Sequence, residues 1–208
     1  MDLCIVPMKP LARAKLRLAV LLTPEQRRAL SLAMLADVVA AARGFDAVWV
    51  LHSDPDAAEV ARAGGAEPRP DPTPEAGLNA SLNAATVQAV RAGATRALIV
   101  SADLPGASAD ALAALRGPGV GLAPDRGGTG TNALWRAPAD VIPAAYGAGS
   151  RTIHEQLAVA AGVPFRVVDA PLLALDIDTP DDLRATAAAP VGAATRAALD
   201  ALAAAGIH

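Results

Sequence analysis

Three aspartates follow apolar segments that predict buried strands, and each lies where such a strand should end. Asp103 follows the segment 97–100, and Asp176 and Asp178 follow the segment 172–175. Each apolar run is typical of a strand buried on both faces, and residues two apart on a strand share a face. In open parallel sheets, ligands bind beyond the carboxyl ends of the strands. Three carboxylates gathered there would repel one another unless a hard cation lay between them, so the pattern predicts a Mg²⁺ site for phosphate chemistry.

The second aspartate motif also contains a good helix start. Thr179 could be the N-cap, and Pro180 would occupy the first helical position. Asp181 and Asp182 suit the positive end of the helix dipole and are assigned to that structural role. For Asp103, Asp176 and Asp178, metal binding is favoured over turn formation.

A basic segment follows the first predicted strand. Four cations, Lys9, Arg13, Lys15 and Arg17, fall within nine residues of a chain that has 18 in total. A loop that leaves the first parallel strand opens onto the ligand crevice, so Lys9 and Lys15 could offset the charge of a nucleoside triphosphate. For Arg13 and Arg17, a solvated turn is an equally good interpretation. The segment lacks the glycine patterns of P-loop and dinucleotide-binding proteins, which argues against a kinase or a dehydrogenase.

A glycine and an asparagine open the predicted helix 77–92. The N–H groups at a helix start can bind a ligand, and the Asn79 side chain could read a base edge or a ribose. Asn79 could equally be only the N-cap of this helix, and both interpretations stay open.

A glycine-rich segment at 127–130 leads into Thr131 and Asn132. Glycines allow backbone N–H groups to approach a ligand closely. A hairpin turn would explain these glycines, but it would not explain the hydroxyl and amide side chains that follow them. The segment therefore predicts a binding site.

A second glycine-rich segment, with Gly147 and Gly149, enters a predicted helix at Ser150. This arrangement is typical of a phosphate site at a helix N-terminus. Ser150 could also be simply the N-cap, and the two roles are compatible. His154 lies one turn further on and is interpreted as a surface or partly packed side chain without a catalytic role.

The elements that must position these residues alternate along the chain. Strands are predicted at 2–7, 46–52, 66–69, 96–101, 119–123, 131–136, 163–168 and 173–177. Helices are predicted at 24–42, 55–63, 77–92, 108–115, 150–161, 180–187 and 192–205. Thr23 and Gln26 form a capping box at the first helix. The alternation predicts an α/β fold in which a mainly parallel sheet has helices on both faces.

Composition narrows the class of protein further. The chain has 208 residues, 53% of them hydrophobic and 2% aromatic, which fits one domain with a core of Ala, Leu and Val. The net charge of −3 gives no general attraction to nucleic acid or to an anionic membrane. We expect no membrane span, because no segment approaches a run of about 18 apolar residues, and no signal peptide, because residues 2–7 predict a strand. Cys4, the single cysteine, is expected in the core, and no zinc cluster is possible, so a cytoplasmic protein is expected.

Taken in order, these motifs resemble the guanylyltransferases of coenzyme F420 biosynthesis, which act on 2-phospho-L-lactate or phosphoenolpyruvate. The resemblance covers 2–187 of a single domain 1–208 and leaves the C-terminal helix 190–206 unmatched. It implies a three-layer α/β/α nucleotidyltransferase fold of the nucleotide-diphospho-sugar transferase type, similar to the molybdenum-cofactor guanylyltransferases. Those relatives have a glycine-rich loop after the first strand. Here the segment from Lys9 to Arg17 replaces it, which favours the F420 branch.

The resemblance also implies a role for each matched residue. Two Mg²⁺ ions would be held by Asp103, Asp176 and Asp178. The catalytic residues would be Lys15 and Asp103. GTP would be bound by Lys9, Lys15, Gly77, Leu78, Asn79 and Asp103. The phosphorylated acid would be bound by Thr131, Asn132, Gly147, Gly149 and Ser150.

The predicted reaction is transfer of GMP from GTP to a phosphorylated three-carbon acid, with small molecules rather than nucleic acids or membranes as partners. The acceptor could be phosphoenolpyruvate, 2-phospho-L-lactate or 3-phosphoglycerate. A composition rich in Ala and Arg suggests a GC-rich genome and favours phosphoenolpyruvate. The alternatives are another nucleotidyltransferase, a glycosyltransferase that uses Asp176 and Asp178 as an Asp-x-Asp motif, and a non-catalytic nucleotide-sensing domain. Oligomeric state is not predicted.

Overall fold

The computed structural model describes residues 1–207 as one mixed sheet flanked by helices. The strands are β1 (Asp2–Pro7), β2 (Ala47–His52), β3 (Glu67–Pro70), β4 (Arg96–Val100), β5 (Gly119–Ala123), β6 (Ala133–Ala137) and β7 (Phe165–Val167). The α-helices are α1 (Pro24–Ala41), α2 (Pro55–Gly64), α3 (Leu78–Arg91), α4 (Ala109–Ala113), α5 (Ser150–Ala160), α6 (Pro171–Ala174), α7 (Pro180–Ala187) and α8 (Ala193–Ala204). Short 3-10 helices lie at Leu11–Arg13, Leu16–Val20 and Ala42–Gly44. Across residues 1–207, no helix combines the length and the apolar character that a membrane crossing requires.

The seven strands are arranged in the order β3-β2-β1-β4-β6-β5-β7. β1 pairs in parallel with both β2 and β4, and β7 is parallel to β5. β6 runs antiparallel to β4 and β5. The predicted mainly parallel mixed sheet is confirmed. Because β1 and β4 are parallel neighbours, the segments that follow them emerge at the same edge.

The sheet is covered on both faces, because successive side chains of its strands point to opposite sides. Cys4 and Val6 of β1 belong to a buried cluster that includes residues of α1, α2 and α4. Leu3 and Ile5 belong to a second cluster, which includes residues of α3. α5 contributes Ala158 to a further cluster with β5 and β6. The result is the expected three-layer arrangement.

The helix starts predicted for α1 and α7 are observed. Thr23 and Gln26 form a capping box at α1, and Pro24 is the first residue of that helix. Thr179 caps α7 in the same way, with Asp182 completing the capping box. Each cap satisfies N–H groups that a helix start leaves free, so it fixes where the helix begins.

The strand predicted at 173–177 is wrong. Residues Pro171–Ala174 form the helical turn α6, and no strand follows it within the described chain, 1–207. An apolar run of four residues does not distinguish a buried strand from a buried helical turn. Pro171 lies in the first turn of α6, and Leu173 is fully buried beneath it. Asp176 and Asp178 therefore follow a helical turn rather than a strand.

The C-terminal helix α8, which lay outside the recognised motifs, packs against α1. Leu199 and Leu202 join residues of α1 in a buried cluster. The two carboxylate oxygens of Asp37 in α1 accept hydrogen bonds from the N–H groups of Ala194 at 3.1 Å and Thr195 at 2.7 Å. A side chain of α1 thus caps the start of α8.

Candidate active site

A cleft of about 490 Å³ opens at the carboxyl ends of β1 and β4. One wall is the segment that follows β1, and another carries Asp176 and Asp178. Ser101, Ala102 and Asp103 line the cleft just beyond β4. A cleft of this size at this edge of an α/β sheet is a typical position for a small-molecule site.

The three aspartates singled out in the sequence come together in this cleft. Asp103, Asp176 and Asp178 each place one carboxylate oxygen within 4.8 Å of the other two. Although the strand predicted before Asp176 is absent, Ile177 between the two aspartates is fully buried in a cluster with Leu18. Because neighbours in an extended segment point in opposite directions, burying Ile177 turns both flanking carboxylates outward into the cleft.

Lys15 reaches into the cluster from the opposite wall. Its Nζ lies 2.5 Å from an oxygen of Asp103 and 2.7 Å from an oxygen of Asp178, and its side chain is only 5% exposed. Lys15 has φ 53°, a left-handed backbone conformation that is uncommon for a residue other than glycine. The residue stands between two 3-10 turns, so local backbone strain accompanies the placement of this ammonium group.

The ion pairs have a larger effect than burial on the pKa of Lys15 and on that of Asp103. Burial would lower the pKa of Lys15, but Asp103 and Asp178 raise it above its ordinary value. Burial would likewise raise the pKa of Asp103, but the charges of Lys15 and, to a lesser degree, Lys9 hold it below the usual range. Both groups are therefore charged at neutral pH.

Lys15 makes its hydrogen bonds to Asp103 and Asp178, and its charge lowers the pKa of Asp176 less than those two carboxylates raise it. Burial raises the pKa of Asp176, and the negative charges of Asp103 and Asp178 raise it further. One ammonium group therefore faces three carboxylates, which leaves an excess of negative charge. Carboxylate oxygens are the ligands that Mg²⁺ prefers, so the donor set fits a hard divalent cation that would relieve this repulsion.

All four cations of the basic segment border the cleft. Lys9, Arg13 and Arg17 line it together with Lys15. The two arginines, for which a solvated turn was an equal alternative, thus face the same space as the lysines. A cleft with carboxylates on one side and four cations on the other can accommodate both a metal ion and a polyphosphate.

Thr131 and Asn132 form another part of the cleft wall, and both are buried. The Nδ2 of Asn132 donates a hydrogen bond to the carbonyl oxygen of Leu173 at 2.8 Å. This bond ties the start of β6 to α6, the turn that leads to Asp176. Asn132 therefore helps to position the acidic cluster, besides lining the cleft.

Of the second glycine-rich segment, Gly147 lines the cleft, whereas Gly149 and Ser150 do not. The interpretation of Ser150 as N-cap is wrong, because Gly149, with φ 70°, is the capping residue. Ser150 is buried, and its Oγ donates a hydrogen bond to Thr131 Oγ1 at 3.0 Å. In this structure its hydroxyl thus contacts another side chain rather than the open space of the cleft.

Of the residues at the start of α3, Leu78 lines the cleft, and Gly77 and Asn79 do not. Gly77 is the N-cap, so the interpretation of Asn79 as a cap is wrong. Both polar groups of the Asn79 amide are bonded to the backbone of Tyr146. Asn79 would have to break these bonds to contact a nucleotide.

Several residues that line the cleft were not predicted as site residues, among them Tyr146, Ser31 and Met34. Tyr146 had a usable signal, because it is the only tyrosine of the chain and directly precedes Gly147. Ser31 and Met34 lie inside α1 and carry no local signal that distinguishes them from ordinary core positions. The interpretation of His154 as a surface or partly packed side chain is also wrong, because it is fully buried.

Solved structures share this fold. A nucleotidyl transferase from Methanothermobacter thermautotroptrophicus matches with a TM-score of 0.61 and 19% identity, over 89% of this chain and 95% of the other. A protein from Desulfovibrio desulfuricans G20, described as a nucleotide-diphospho-sugar transferase, matches with a TM-score of 0.76 and 17% identity. The match covers 97% of this chain and 96% of the other. At these identities the comparison concerns the fold alone, and it agrees with the nucleotidyltransferase architecture expected from the sequence.

Sequence relatives narrow the assignment. The chain is 43% identical over 201 residues to the phosphoenolpyruvate guanylyltransferase of Sphaerobacter thermophilus, covering 93% of this chain and 96% of the relative. It is 42% identical over 190 residues to the phosphoenolpyruvate guanylyltransferase of Conexibacter woesei, covering 87% of this chain and 85% of the relative. The family described as "Guanylyl transferase CofC like" matches residues 2–202, which include α8 up to Leu202. With its acidic cluster, its basic segment and this match over nearly its whole length, the chain belongs to the CofC-like guanylyl transferase family.

Proposed function

We propose that this protein transfers GMP from GTP to phosphoenolpyruvate and releases pyrophosphate, as a step of coenzyme F420 biosynthesis. The observation that carries the proposal is the position of Lys15 Nζ, within 2.5 Å of Asp103 and 2.7 Å of Asp178 in the cleft. Transfer between two polyanions needs positive charge beside a metal site, and this geometry supports both roles, with an ammonium group among three carboxylates that could hold a cation. The names of the relatives at 43% and 42% identity support phosphoenolpyruvate as the acceptor.

In the proposed reaction, an oxygen of the acceptor phosphate attacks the α-phosphorus of GTP in line. The bond from the α-phosphorus to the oxygen that bridges to the β-phosphate breaks, and pyrophosphate leaves with that oxygen. A phosphomonoester is largely dianionic at pH 7, because its second pKa is about 6, so no side chain has to remove a proton. This agrees with a cleft in which, among residues 1–207, no nucleophilic Ser–His or Cys–His pair lies beside the acidic cluster.

Each wall of the cleft has a part in this reaction. Asp103, Asp176 and Asp178 would hold Mg²⁺, two ions in all, which when bound supply positive charge to the phosphate oxygens. Lys15 would counter the charge that develops on the transferring group, and Lys9 would bind the phosphates of GTP. The nucleoside would lie towards Leu78.

The acceptor would bind on the side of the cleft that Thr131 and Gly147 form. Thr131 and Gly147 line the cleft there, and their hydroxyl and backbone groups can contact the phosphate or the carboxylate of a small acid. Asn132 would support this wall through its bond to Leu173. Gly149 and Ser150 would act from behind it, by holding Gly147 and Thr131. The protein would act in the cytoplasm on small molecules, without nucleic acid or a membrane as partner.

A pyrophosphate-release assay tests the proposal. GTP, ATP, CTP and UTP are each combined with phosphoenolpyruvate, 2-phospho-L-lactate and 3-phosphoglycerate in the presence of MgCl₂. We expect release with GTP and phosphoenolpyruvate at the highest kcat/KM. Release with 2-phospho-L-lactate alone would overturn the choice of acceptor, and no release from any pair would overturn the proposed reaction.

A further inference from the structure

His154 lies at the centre of a buried hydrogen-bonded group behind the acceptor wall of the cleft. Its side chain is 0% exposed. One ring nitrogen, Nε2, lies 3.0 Å from the backbone nitrogen of Ala145. The other, Nδ1, lies 3.1 Å from Thr131 Oγ1. A single imidazole therefore contacts both the wall residue Thr131 and the loop that leads to Gly147.

The partners of His154 determine where its proton lies. A backbone N–H can only donate, so Nε2 has to accept the hydrogen bond from Ala145 and carries no proton. A neutral imidazole then carries its proton on Nδ1 and donates it to Thr131 Oγ1. Burial, with a smaller contribution from the Arg136 guanidinium, lowers the pKa of His154 to about 4, which keeps the ring neutral at physiological pH.

The hydrogen-bond donors and acceptors at Thr131 can be assigned in the same way. Ser150 Oγ donates to Thr131 Oγ1 at 3.0 Å, and His154 Nδ1 donates to the same oxygen. A hydroxyl oxygen has two lone pairs, and these two donors occupy them. The remaining capacity of the Thr131 hydroxyl is its own proton, which has to be donated elsewhere. Thr131 borders the cleft, whereas His154 and Ser150 do not.

We propose that His154 is a positioning residue that fixes the Thr131 hydroxyl as a hydrogen-bond donor to an anionic oxygen of the acceptor. A hydroxyl free to rotate could present its lone pairs to the anion, which would repel it. Because Ser150 and His154 occupy both lone pairs, the Thr131 hydroxyl can only direct its proton towards the anion, which favours a charge-assisted hydrogen bond. The inference rests on the proposed function only in taking the anion to be the phosphorylated acid.

Steady-state kinetics test the effect on the acceptor. His154→Leu removes both ring hydrogen bonds, and we expect the KM for phosphoenolpyruvate to rise about tenfold or more, with the KM for GTP changing less than about twofold. His154→Gln keeps one acceptor and one donor at the end of the side chain, so it should restore most of the affinity. His154→Phe keeps a ring of similar shape and also removes both hydrogen bonds, so it serves as the test variant if His154→Leu does not fold. If neither His154→Leu nor His154→Phe changes the KM for phosphoenolpyruvate, the inference is wrong.

A double-mutant cycle separates action through Thr131 from a general packing effect. Thr131→Val keeps the shape and removes the hydroxyl. If His154 acts through Thr131, adding His154→Leu to Thr131→Val should change the KM for phosphoenolpyruvate by less than about twofold. Independent, multiplying effects of the two substitutions would contradict the inference.

Nuclear magnetic resonance tests the proton positions without any activity measurement. In the ¹⁵N-labelled protein, the His154 ring should be neutral, with its proton on Nδ1, from pH 6 to 8. A proton on Nε2, or a charged ring at pH 7, would overturn the assignment. Titration with inorganic phosphate should shift the Thr131 signals in the wild type. If that shift and the Nδ1 proton are found but no pyrophosphate is released in the assay above, only the proposed function fails.

Discussion

The amide of Asn79 forms two hydrogen bonds with the backbone of Tyr146. Its Nδ2 donates to the Tyr146 carbonyl oxygen at 2.9 Å, and its Oδ1 accepts from the Tyr146 N–H at 2.7 Å. One helical turn further along α3, Asn83 pairs with the backbone of Ala144 in the same two-bond manner. Two asparagines four residues apart lie on one face of a helix, so α3 holds the loop 144–146 as a neighbouring strand would.

This pairing predicts that Asn79 acts on the acceptor side of the cleft rather than on the nucleotide. Asn79→Ala should raise the KM for phosphoenolpyruvate about three- to tenfold, because losing the bonds frees the loop that carries Gly147. Asn83→Ala is the matched control for loop anchoring, since Asn83 does not line the cleft. Both variants should behave alike in steady-state kinetics. A rise in the KM for GTP that is confined to Asn79→Ala would instead support direct nucleotide contact.

Asp176 offers the sharpest test of the metal site, because Lys15 makes no hydrogen bond to it in this structure. Asp176→Asn should lower kcat by at least about 100-fold, since a ligand charge is lost at nearly constant shape. The metal-free protein should keep or gain thermal stability, because repulsion by Asp103 and Asp178 disappears. Stabilisation by MgCl₂, measured as a shift in Tm, should also be lost.

Asp181→Asn is the matched control for that experiment. It makes the same change of charge at a carboxylate that is 91% exposed and paired with Arg184. Its kcat and its response to MgCl₂ should stay close to those of the wild type. Near-wild-type turnover by Asp176→Asn would remove Asp176 from the site.

Lys15 is expected to matter for chemistry more than for GTP binding. Lys15→Ala should lose most of its kcat, while the GTP affinity measured by calorimetry changes by less than about tenfold, or about 1.4 kcal/mol. Lys15→Arg should recover only part of the rate, because a planar guanidinium places its charge differently. A variant that keeps kcat and loses only GTP affinity would make Lys15 a binding residue alone.

Stability measurements on Lys15→Ala give an independent prediction. Without metal, the free energy of unfolding should fall by about 1–3 kcal/mol, because Asp103 and Asp178 lose their counter-charge in a partly solvated site. MgCl₂ should restore more stability to this variant than to the wild type, as the ion takes over the compensation. Equal Tm shifts in the two proteins would argue against a cation at this position.

The buried His154 predicts a loss of stability in mild acid. Burial and Arg136 lower its pKa from 6.5 to about 4 in the folded state, so the unfolded chain binds the extra proton first. The contribution of His154 to stability is therefore complete above pH 6.5 and is lost as the pH falls towards 4, by at most about 3 kcal/mol. Urea unfolding of His154→Gln should show a flatter pH dependence across this window. If the free energy of unfolding varies with pH equally in the two proteins, the lowered pKa of His154 is contradicted.

The sequence predicted best those elements whose own residues determine them. β4 before Asp103 was correct because its apolar run is long enough to be buried on both faces, and α1 and α7 were correct because their capping boxes are local. α6 was missed because Leu172 to Ala174 fit a buried strand as well as a helical turn. The grouping of Asp103, Asp176 and Asp178 was nevertheless predicted correctly, because burial of Ile177 aims both neighbours as a strand would.

What the sequence could not reveal depends on contacts between distant residues. The pairing of Asn79 with Tyr146 joins positions 67 residues apart, and the pairing of Lys15 with Asp178 joins positions 163 residues apart. The role of His154 likewise depends on a contact with Thr131, 23 residues before it in the chain. The spacing of residues along the chain predicted which side chains were candidates for the site. It did not predict that some of them, such as Asn79, would instead be hydrogen-bonded to a loop.

The cap that Asp37 gives to α8 has a consequence for synthesis on the ribosome. α1 is made before β2 to β7, whereas the leucines of α8 that cover it are made after them, and Ile177 belongs to the same buried cluster. Until α8 has left the exit tunnel, the segment between Asp176 and Asp178 lacks part of the packing that aims its carboxylates. A nascent chain can thus form the β1–β2–β4 part of the sheet while its metal site is still incomplete, and α1 then exposes an apolar face that chaperones could bind.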